Sequence, residues 1–207
     1  MKQETELALA GLFERHPALE QCRAEILAAF ELMLAAYRGG GKVLVCGNGG
    51  SAADSEHIVG ELLNKFKRHR PLPPELAARL PADLAAKLEG ALPAVSLVSM
   101  TGVLSAAAND IAWEAAFAQQ ALGLACPGDV FIAISTSGNS PDCVAAAHVA
   151  KAKGARTLAL TGARESKLSG ICDVAIRVPE TETYRIQELH LPVYHALCAA
   201  LEAEIFG

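Results

Sequence analysis

The hydrophobic residues of this chain follow two different patterns. Short runs of consecutive apolar residues, bounded by glycine or polar turn formers, are typical of strands buried on both faces of a parallel sheet. Such runs lie at residues 42–46, 93–98, 129–134, 156–160 and 174–178. Between them, apolar residues recur three or four positions apart, as in amphipathic helices. Strands that alternate with helices predict an α/β fold, a three-layer parallel sheet flanked by helices, in a single domain over residues 1–207.

Helical spacing also extends before the first strand and after the last one. Residues 4–37 predict two helices with a break at His16-Pro17. Because two helices present more apolar surface than a small sheet covers, residues 1–38 are predicted to be a helical pair for oligomerisation. The final helix is predicted over 182–205, interrupted and kinked by Pro192, which lacks a backbone donor.

Residues 71–92 form an unusual segment. Leucines at 76, 80, 84, 88 and 92 are four residues apart, and Pro81 divides the segment into two short predicted helices. We interpret it as an insert that is either a lid or an interface piece, and the sequence leaves both open. The chain is read as having no internal repeat.

A hydroxyl-rich loop follows the third apolar run. Ser135-Thr136-Ser137-Gly138-Asn139-Ser140 precedes Pro141, and Ser140 with Pro141 marks a helix start. The free N–H groups and positive dipole end of a helix N-terminus favour an anion, and hydroxyls add uncharged donors. This predicts a phosphate-binding loop, with an ordinary polar turn as the alternative.

A second loop of this kind, Gly47-Asn48-Gly49-Gly50-Ser51, follows the first strand. Its glycines allow the backbone to approach a ligand closely, and Ser51 is predicted to cap the next helix. Ligands of parallel sheets bind where the carboxyl ends of strands converge, so two such loops strengthen the prediction of one site. The basic run 64–70 is either a solvated helix end or a rim that attracts an anionic substrate.

Composition narrows the function classes. The 207 residues are 52% hydrophobic and 20% charged, a composition that excludes disorder. The formal net charge of −5 disfavours nonspecific nucleic-acid binding as the main task. The acidic N-terminus and the lack of a long apolar run predict a protein without signal peptide or membrane span, in the cytoplasm. Six scattered cysteines, without any CxxC pair, argue against disulfides or a thiolate zinc site.

Four side chains on two predicted helices are candidates for chemistry. His57 and Glu61 share a helix face, and Gln187 and His195 are able to converge with them if Pro192 kinks the last helix. A carboxylate and imidazoles beside a phosphate loop suit proton abstraction next to a carbonyl through an enediol. Histidine and glutamate are also zinc ligands, whereas glutamine is an uncommon one. Singly, each of these residues is also explained as a surface, core or capping residue.

At this point the chain resembles a known family, the sugar-isomerase (SIS) domain of bacterial phosphoheptose isomerases. The resemblance extends from the N-terminal helices to the last helix, in the order Gly47–Ser51, His57, Glu61, Asn109-Asp110, Ser135–Ser140, Gln187 and His195. It implies a flavodoxin-like SIS fold, a homotetramer with active sites at subunit interfaces, and conversion of sedoheptulose 7-phosphate to glycero-manno-heptose 7-phosphate for surface polysaccharide.

The resemblance also implies residue roles. Glu61 would be the base and His195 its acid/base partner, while His57, Glu61, Gln187 and His195 would ligate zinc. A carboxylate tightly bound to zinc is a poorer base, so the two roles of Glu61 compete. Substrate contacts would come from the loops and helix ends at Asn48, Gly49, Gly50, Ser51, Glu61, Asn109, Asp110, Ser135, Thr136, Ser137, Ser140 and Gln187.

Two departures from the family stand out: the insert is roughly twenty residues longer than expected, and Tyr184 replaces an expected aspartate. The alternative function is a noncatalytic SIS protein, either a scaffold that associates with the DnaA initiator or a sugar-phosphate sensor. Scaffold relatives lack the acid/base pair, which Glu61 and His195 supply here.

Overall fold

The computed structural model describes residues 1–207 as a five-stranded parallel sheet with the strand order β2-β1-β3-β4-β5. The strands are β1 (Val43–Gly47), β2 (Ala94–Ser96), β3 (Val130–Ile134), β4 (Arg156–Thr161) and β5 (Val174–Arg177). Each lies within one residue of, or inside, a predicted apolar run. This order is the flavodoxin-like one, and it confirms the predicted α/β class.

Ten α-helices surround the sheet. They are α1 (Gln3–Arg15), α2 (Arg23–Arg38), α3 (Gly50–Leu63), α4 (Pro74–Ala77), α5 (Ala82–Ala85), α6 (Thr101–Asp110), α7 (Ala116–Leu124), α8 (Pro141–Ala152), α9 (Lys167–Ile171) and α10 (Thr183–Phe206). Short 3-10 segments at Pro17–Cys22 and Trp113–Ala115 join α1 to α2 and α6 to α7.

Alternate strand residues divide between two hydrophobic cores. Val43, Val45 and Ile132 pack in one core with residues of α1, α2 and α10. Leu44, Phe131 and other residues of the opposite register pack in a second core with α7 and α8. Because successive strand side chains point to opposite faces, continuous apolar runs produce the predicted three layers.

The helices at the chain ends differ in part from the prediction. The break at His16-Pro17 is observed between α1 and the 3-10 segment, and α1 packs along α10 within the chain. The predicted interruption of α10 is wrong, because the helix continues through Pro192, and the predicted kink at Pro192 stays a prediction. A role of residues 1–38 in oligomerisation stays a prediction. No helix in the structure is both long and apolar enough to cross a membrane.

The 71–92 insert contains the two predicted short helices, α4 and α5. The expectation of no internal repeat is wrong here. Residues 73–80 read PPELAARL and residues 81–88 read PADLAAKL, so one octapeptide pattern occurs twice. The ends of the segment are tied together, since Arg70 N donates to Glu89 Oε2 at 2.7 Å and Gly90 N to Arg70 O at 2.7 Å.

Candidate active site

The centre of the candidate site is a cluster of three side chains on α3 and α10. His57 Nε2 lies 3.1 Å from Glu61 Oε1 and 3.4 Å from His195 Nε2. One ligand atom from each of the three residues falls within 4.8 Å of the others. Helical spacing places His57 and Glu61 on one face, and the packing of α10 against α3 brings His195 to them.

Two further residues orient His57. The Tyr194 hydroxyl donates to Asp54 Oδ1 at 3.1 Å and lies 3.0 Å from His57 Nδ1. Since the single hydroxyl proton goes to Asp54, the network assigns the Nδ1 proton of His57 to the Tyr194 oxygen. In neutral His57 the Nε2 lone pair therefore faces the Glu61 carboxylate.

This donor set fits a metal ion. Two acceptors, His57 Nε2 and Glu61 Oε1, face each other at 3.1 Å, an arrangement that requires a proton or a cation between them. Burial, followed by the neighbouring His57, lowers the pKa of His195, which keeps its imidazole neutral and able to ligate. Imidazole nitrogens and a carboxylate oxygen are ligands that Zn²⁺ accepts, and a tyrosine and aspartate behind a histidine are typical of the groups that orient such ligands.

Gln187 lies at a different level of the helix pair. Its amide packs on Gly50, where a Cβ would lie only 2.5 Å from Gln187 Nε2. Residue 50 precedes His57 by two turns of α3, an axial rise of about 10 Å. Gln187 therefore adjoins the glycine loop, within reach of a substrate there, and its role as a metal ligand stays a prediction.

The hydroxyl-rich loop joins β3 to α8. Ser135 Oγ lies 2.9 Å from Ser140 Oγ, and Ser140 occupies the position before α8 without a side-chain capping bond. Ser137 is exposed and its Oγ accepts from Asn139 N at 3.2 Å. A cavity of about 200 Å³ adjoins the loop and is lined by Thr136, Ser137 and Asn139 among others. Hydroxyl groups beside a helix N-terminus fit an anionic group.

The glycine loop is bound to the first turn of α8, next to the hydroxyl-rich loop, through one buried carboxylate. Asn48 Nδ2 donates to Asp142 Oδ2 at 2.8 Å, and Asp142 lies in the first turn of α8. The loop begins α3 at Gly50, after Gly49 with φ +56°, a conformation that favours glycine. The prediction that Ser51 caps α3 is wrong, since Ser51 is buried inside its first turn.

Asn109 and Asp110 form no side-chain hydrogen bond to either of these loops. They end α6, are exposed, and bond to each other, with Asn109 Nδ2 donating to Asp110 Oδ1 at 2.8 Å. Only Ala107 of α6 is buried, so most of this helix faces outward. Tyr184, at the position of the expected aspartate, is 55% exposed and accepts from Arg185 Nε.

The basic run 64–70 predicts either a solvated helix end or a rim that attracts an anionic substrate, and its last residue, Arg70, fits neither interpretation. Arg70 is completely buried and pairs with buried Glu202 at 2.8 Å. Its other donors bind the backbone carbonyls of Leu62 and Glu61, both at 2.7 Å, so that it caps the end of α3. Lys67 and Arg68 do border a groove of about 600 Å³ that reaches His195.

The sequence reasoning missed several residues that shape the site. Asp54 precedes His57 by three residues, so helical spacing was a usable signal for it. Tyr194, Asp142 and the Arg70–Glu202 pair gave no such signal, because their partners are 94 to 140 residues away in the sequence. Four of the six cysteines are buried as expected, while Cys172 is half-buried and Cys126 is exposed.

Comparisons with known proteins agree with this geometry. The family model described as SIS domain matches residues 14–162. A phosphoheptose isomerase of Rhodospirillum rubrum is 38% identical, with 89% of this chain and 88% of that protein covered. A phosphoheptose isomerase of Burkholderia pseudomallei is 39% identical, with 91% and 86% covered.

Solved structures give the same result. The phosphoheptose isomerase GmhA from Neisseria gonorrhoeae is 32% identical and superposes with a TM-score of 0.74, covering 96% of this chain and 98% of that one. A phosphoheptose isomerase from Francisella tularensis is 27% identical with a TM-score of 0.75, covering 98% of this chain and 100% of that one.

Proposed function

We propose that this chain, which belongs to the SIS domain family and there to the phosphoheptose isomerases, converts sedoheptulose 7-phosphate to D-glycero-D-manno-heptose 7-phosphate. It is an isomerase that interconverts a ketose and an aldose phosphate. The observation that carries the proposal is the cluster of Glu61 with the imidazoles of His57 and His195, in which α3, the helix of His57 and Glu61, begins at the glycine loop. A noncatalytic scaffold has no need of such an acid/base cluster.

Glu61 and His195 take the proton-transfer roles. Glu61 removes a proton from C1 of the ketose to form an enediol. After that proton exchanges with solvent, Glu61 delivers a solvent-derived proton to C2, and the enediol collapses to the aldose. His195 moves the hydroxyl proton from O1 to O2, which its neutral imidazole favours near neutral pH. The Glu61 side chain is only 20% exposed, and partial exclusion of water suits proton transfer from carbon.

The loops hold the remainder of the substrate. Ser135, Thr136, Ser137 and Ser140 bind the phosphate by their hydroxyls and by the N-terminus of α8. Asn48, Gly49, Gly50, Ser51 and Gln187 contact the sugar from the glycine loop, since the amide of Gln187 packs on Gly50. Asn109 and Asp110 also contact the sugar, and their exposed position agrees with a site completed between subunits of a homotetramer.

His57, Glu61 and His195 would hold zinc. Gln187, whose amide packs on Gly50 in this structure, would become the fourth ligand by turning its side chain toward the cluster. When bound, zinc would act as a Lewis acid that polarises the substrate carbonyl. Asp54 and Tyr194 hold His57 in the required tautomer. The heptose product would serve surface polysaccharide, and a cytoplasmic location stays a prediction.

Proton NMR in deuterated water tests the function. The purified protein is given sedoheptulose 7-phosphate with and without added zinc. We expect the aldose to appear with deuterium at C2, and a zinc requirement would establish the role of the metal. Saturable binding without conversion in either condition would indicate a sensor, and neither binding nor conversion would indicate a scaffold.

A further inference from the structure

The duplicated segment 73–88 is unusual in both sequence and conformation. Each half follows the pattern Pro-x-acid-Leu-Ala-Ala-base-Leu. The two halves also adopt the same backbone: Pro73 and Pro81 have φ/ψ of −53/132° and −54/136°, and Ala78 and Ala86 have −66/−17° and −69/−15°. The segment therefore presents one structural unit twice, with like residues at like positions.

The leucines of this segment lie outside both hydrophobic cores and remain partly exposed. Leu76, Leu84 and Leu88 are 44%, 41% and 42% exposed, and no residue of α4 or α5 is buried. None of the segment's leucines belongs to either hydrophobic core or packs against one. Clustered exposed leucines at regular spacing mark a contact surface.

The charges of the segment alternate in sign and are also unpaired. Glu75, Arg79, Asp83 and Lys87 follow one another at intervals of four residues. None of them forms an ion pair within the chain. When two such segments run antiparallel, Glu75 lies opposite Lys87 and Arg79 opposite Asp83. Parallel alignment would instead place like charges together.

The position of the insert argues against a lid on its own site. It leaves the C-terminal end of α3 and enters the N-terminal end of β2, whereas both substrate loops lie at the opposite edge of the parallel sheet. The 14 residues of α3 separate the two edges by about 20 Å. The segment therefore projects outward, where another molecule is able to reach it.

We propose that residues 73–88 are a self-association element, in which the segments of two copies of this chain pair antiparallel across a two-fold axis. A two-fold interface requires a surface that is complementary to itself, and the charge order −, +, −, + meets this requirement only in the antiparallel direction. The leucines are covered in the paired state. This interface does not depend on the enzymatic activity.

Charge variants of the full-length chain test the pairing, with mass measured by light scattering and sedimentation. Glu75→Lys with Asp83→Lys makes all four charges positive, and we expect one association step to weaken at least about tenfold. The matched control adds Arg79→Glu and Lys87→Glu, which restores alternation with every sign reversed, and we expect it to recover the wild-type mass. An unchanged mass in the first variant, no recovery in the second, or a monomeric wild type would overturn the proposal.

Cross-linking tests the direction of pairing. In a Cys126→Ser background, chains with Glu75→Cys are mixed with chains carrying Lys87→Cys and treated with a short thiol cross-linker. We expect linked dimers in the mixture and few with either chain alone. Equal cross-linking of the Glu75→Cys chain with itself would indicate parallel pairing and contradict the proposal.

Discussion

The helix pair α3 and α10 carries two polar clusters that differ in one respect. At the C-terminal end of α3, Arg70 and Glu202 are buried. The guanidinium of Arg70 has hydrogen-bond partners for Nε, Nη1 and Nη2. The carboxylate of Glu202 accepts from Arg70 Nε and from the backbone N–H groups of residues 66 and 67. Nearer the middle of α3, the side chains of His57, Glu61 and His195 are partly exposed, and their acceptor atoms face one another.

The difference separates a structural cluster from a chemical one. A buried charge pair is tolerated only when its hydrogen bonds are complete, and it then has no capacity left for a ligand. In the second cluster, acceptor atoms face one another with too few hydrogen-bond donors between them, so they are still able to bind a proton or a cation. The first cluster should therefore control stability and the second turnover, and variants of each should affect the other property little.

The largest expected effect is that of Glu61→Gln. Loss of the base should lower turnover by about 10²- to 10⁴-fold, because the amide does not accept the carbon-bound proton. Binding of the phosphate ester should be nearly unchanged. The measurement is steady-state kinetics with calorimetric titration of the ester, and Glu31→Gln, an exposed residue of α2, is the control. A rate equal to wild type would remove Glu61 as the base.

Removing Arg70 tests the structural side. Arg70→Met leaves the Glu202 charge buried without its cation and should lower the unfolding free energy by about 3–5 kcal/mol. The matched control is Arg23→Met, because Arg23 and its partner Glu20 are 43% and 52% exposed and pairs exposed on both sides contribute about 0–1 kcal/mol. Denaturant unfolding measures both. Equal losses would contradict the distinction between the two clusters.

A smaller effect is expected for Tyr194→Phe. The variant removes the hydroxyl that connects Asp54 and His57, so zinc affinity should fall about 10- to 100-fold. Competition with a chromogenic chelator measures it. Tyr37→Phe is a strict control, because the Tyr37 hydroxyl is buried without a partner. Unchanged zinc affinity in Tyr194→Phe would mean that His57 is not oriented in this way.

Ser137→Ala is expected to have the smallest effect. Loss of one hydroxyl donor to the phosphate should weaken substrate binding by about 1–2 kcal/mol, with little change in kcat. Ser105→Ala, an exposed serine of α6, is the control. If substrate affinity were the same in Ser137→Ala as in wild type, the assignment of the hydroxyl-rich loop to the phosphate would be wrong.

Much of the fold could be predicted from local patterns. Uninterrupted apolar runs such as 130–134 predict strands covered on both faces, and the break at Pro17 was visible because proline restricts the backbone locally. The same local rule for proline led to the wrong prediction of an interruption at Pro192, because α10 continues through that residue. α10 packs against α1 and α3, and such tertiary contacts are not visible in a local sequence pattern.

By itself, the sequence determined the strand and helix order, the two loops, and the pair of His57 and Glu61, because these depend on spacings within one element. Only the tertiary structure decided that Arg70 is buried and Tyr194 orients His57, and that Gln187 lies at Gly50. Those outcomes depend on contacts between residues more than a hundred positions apart in the sequence. The spacing of residues within one helix does not show which side chains of a second helix will pack against it.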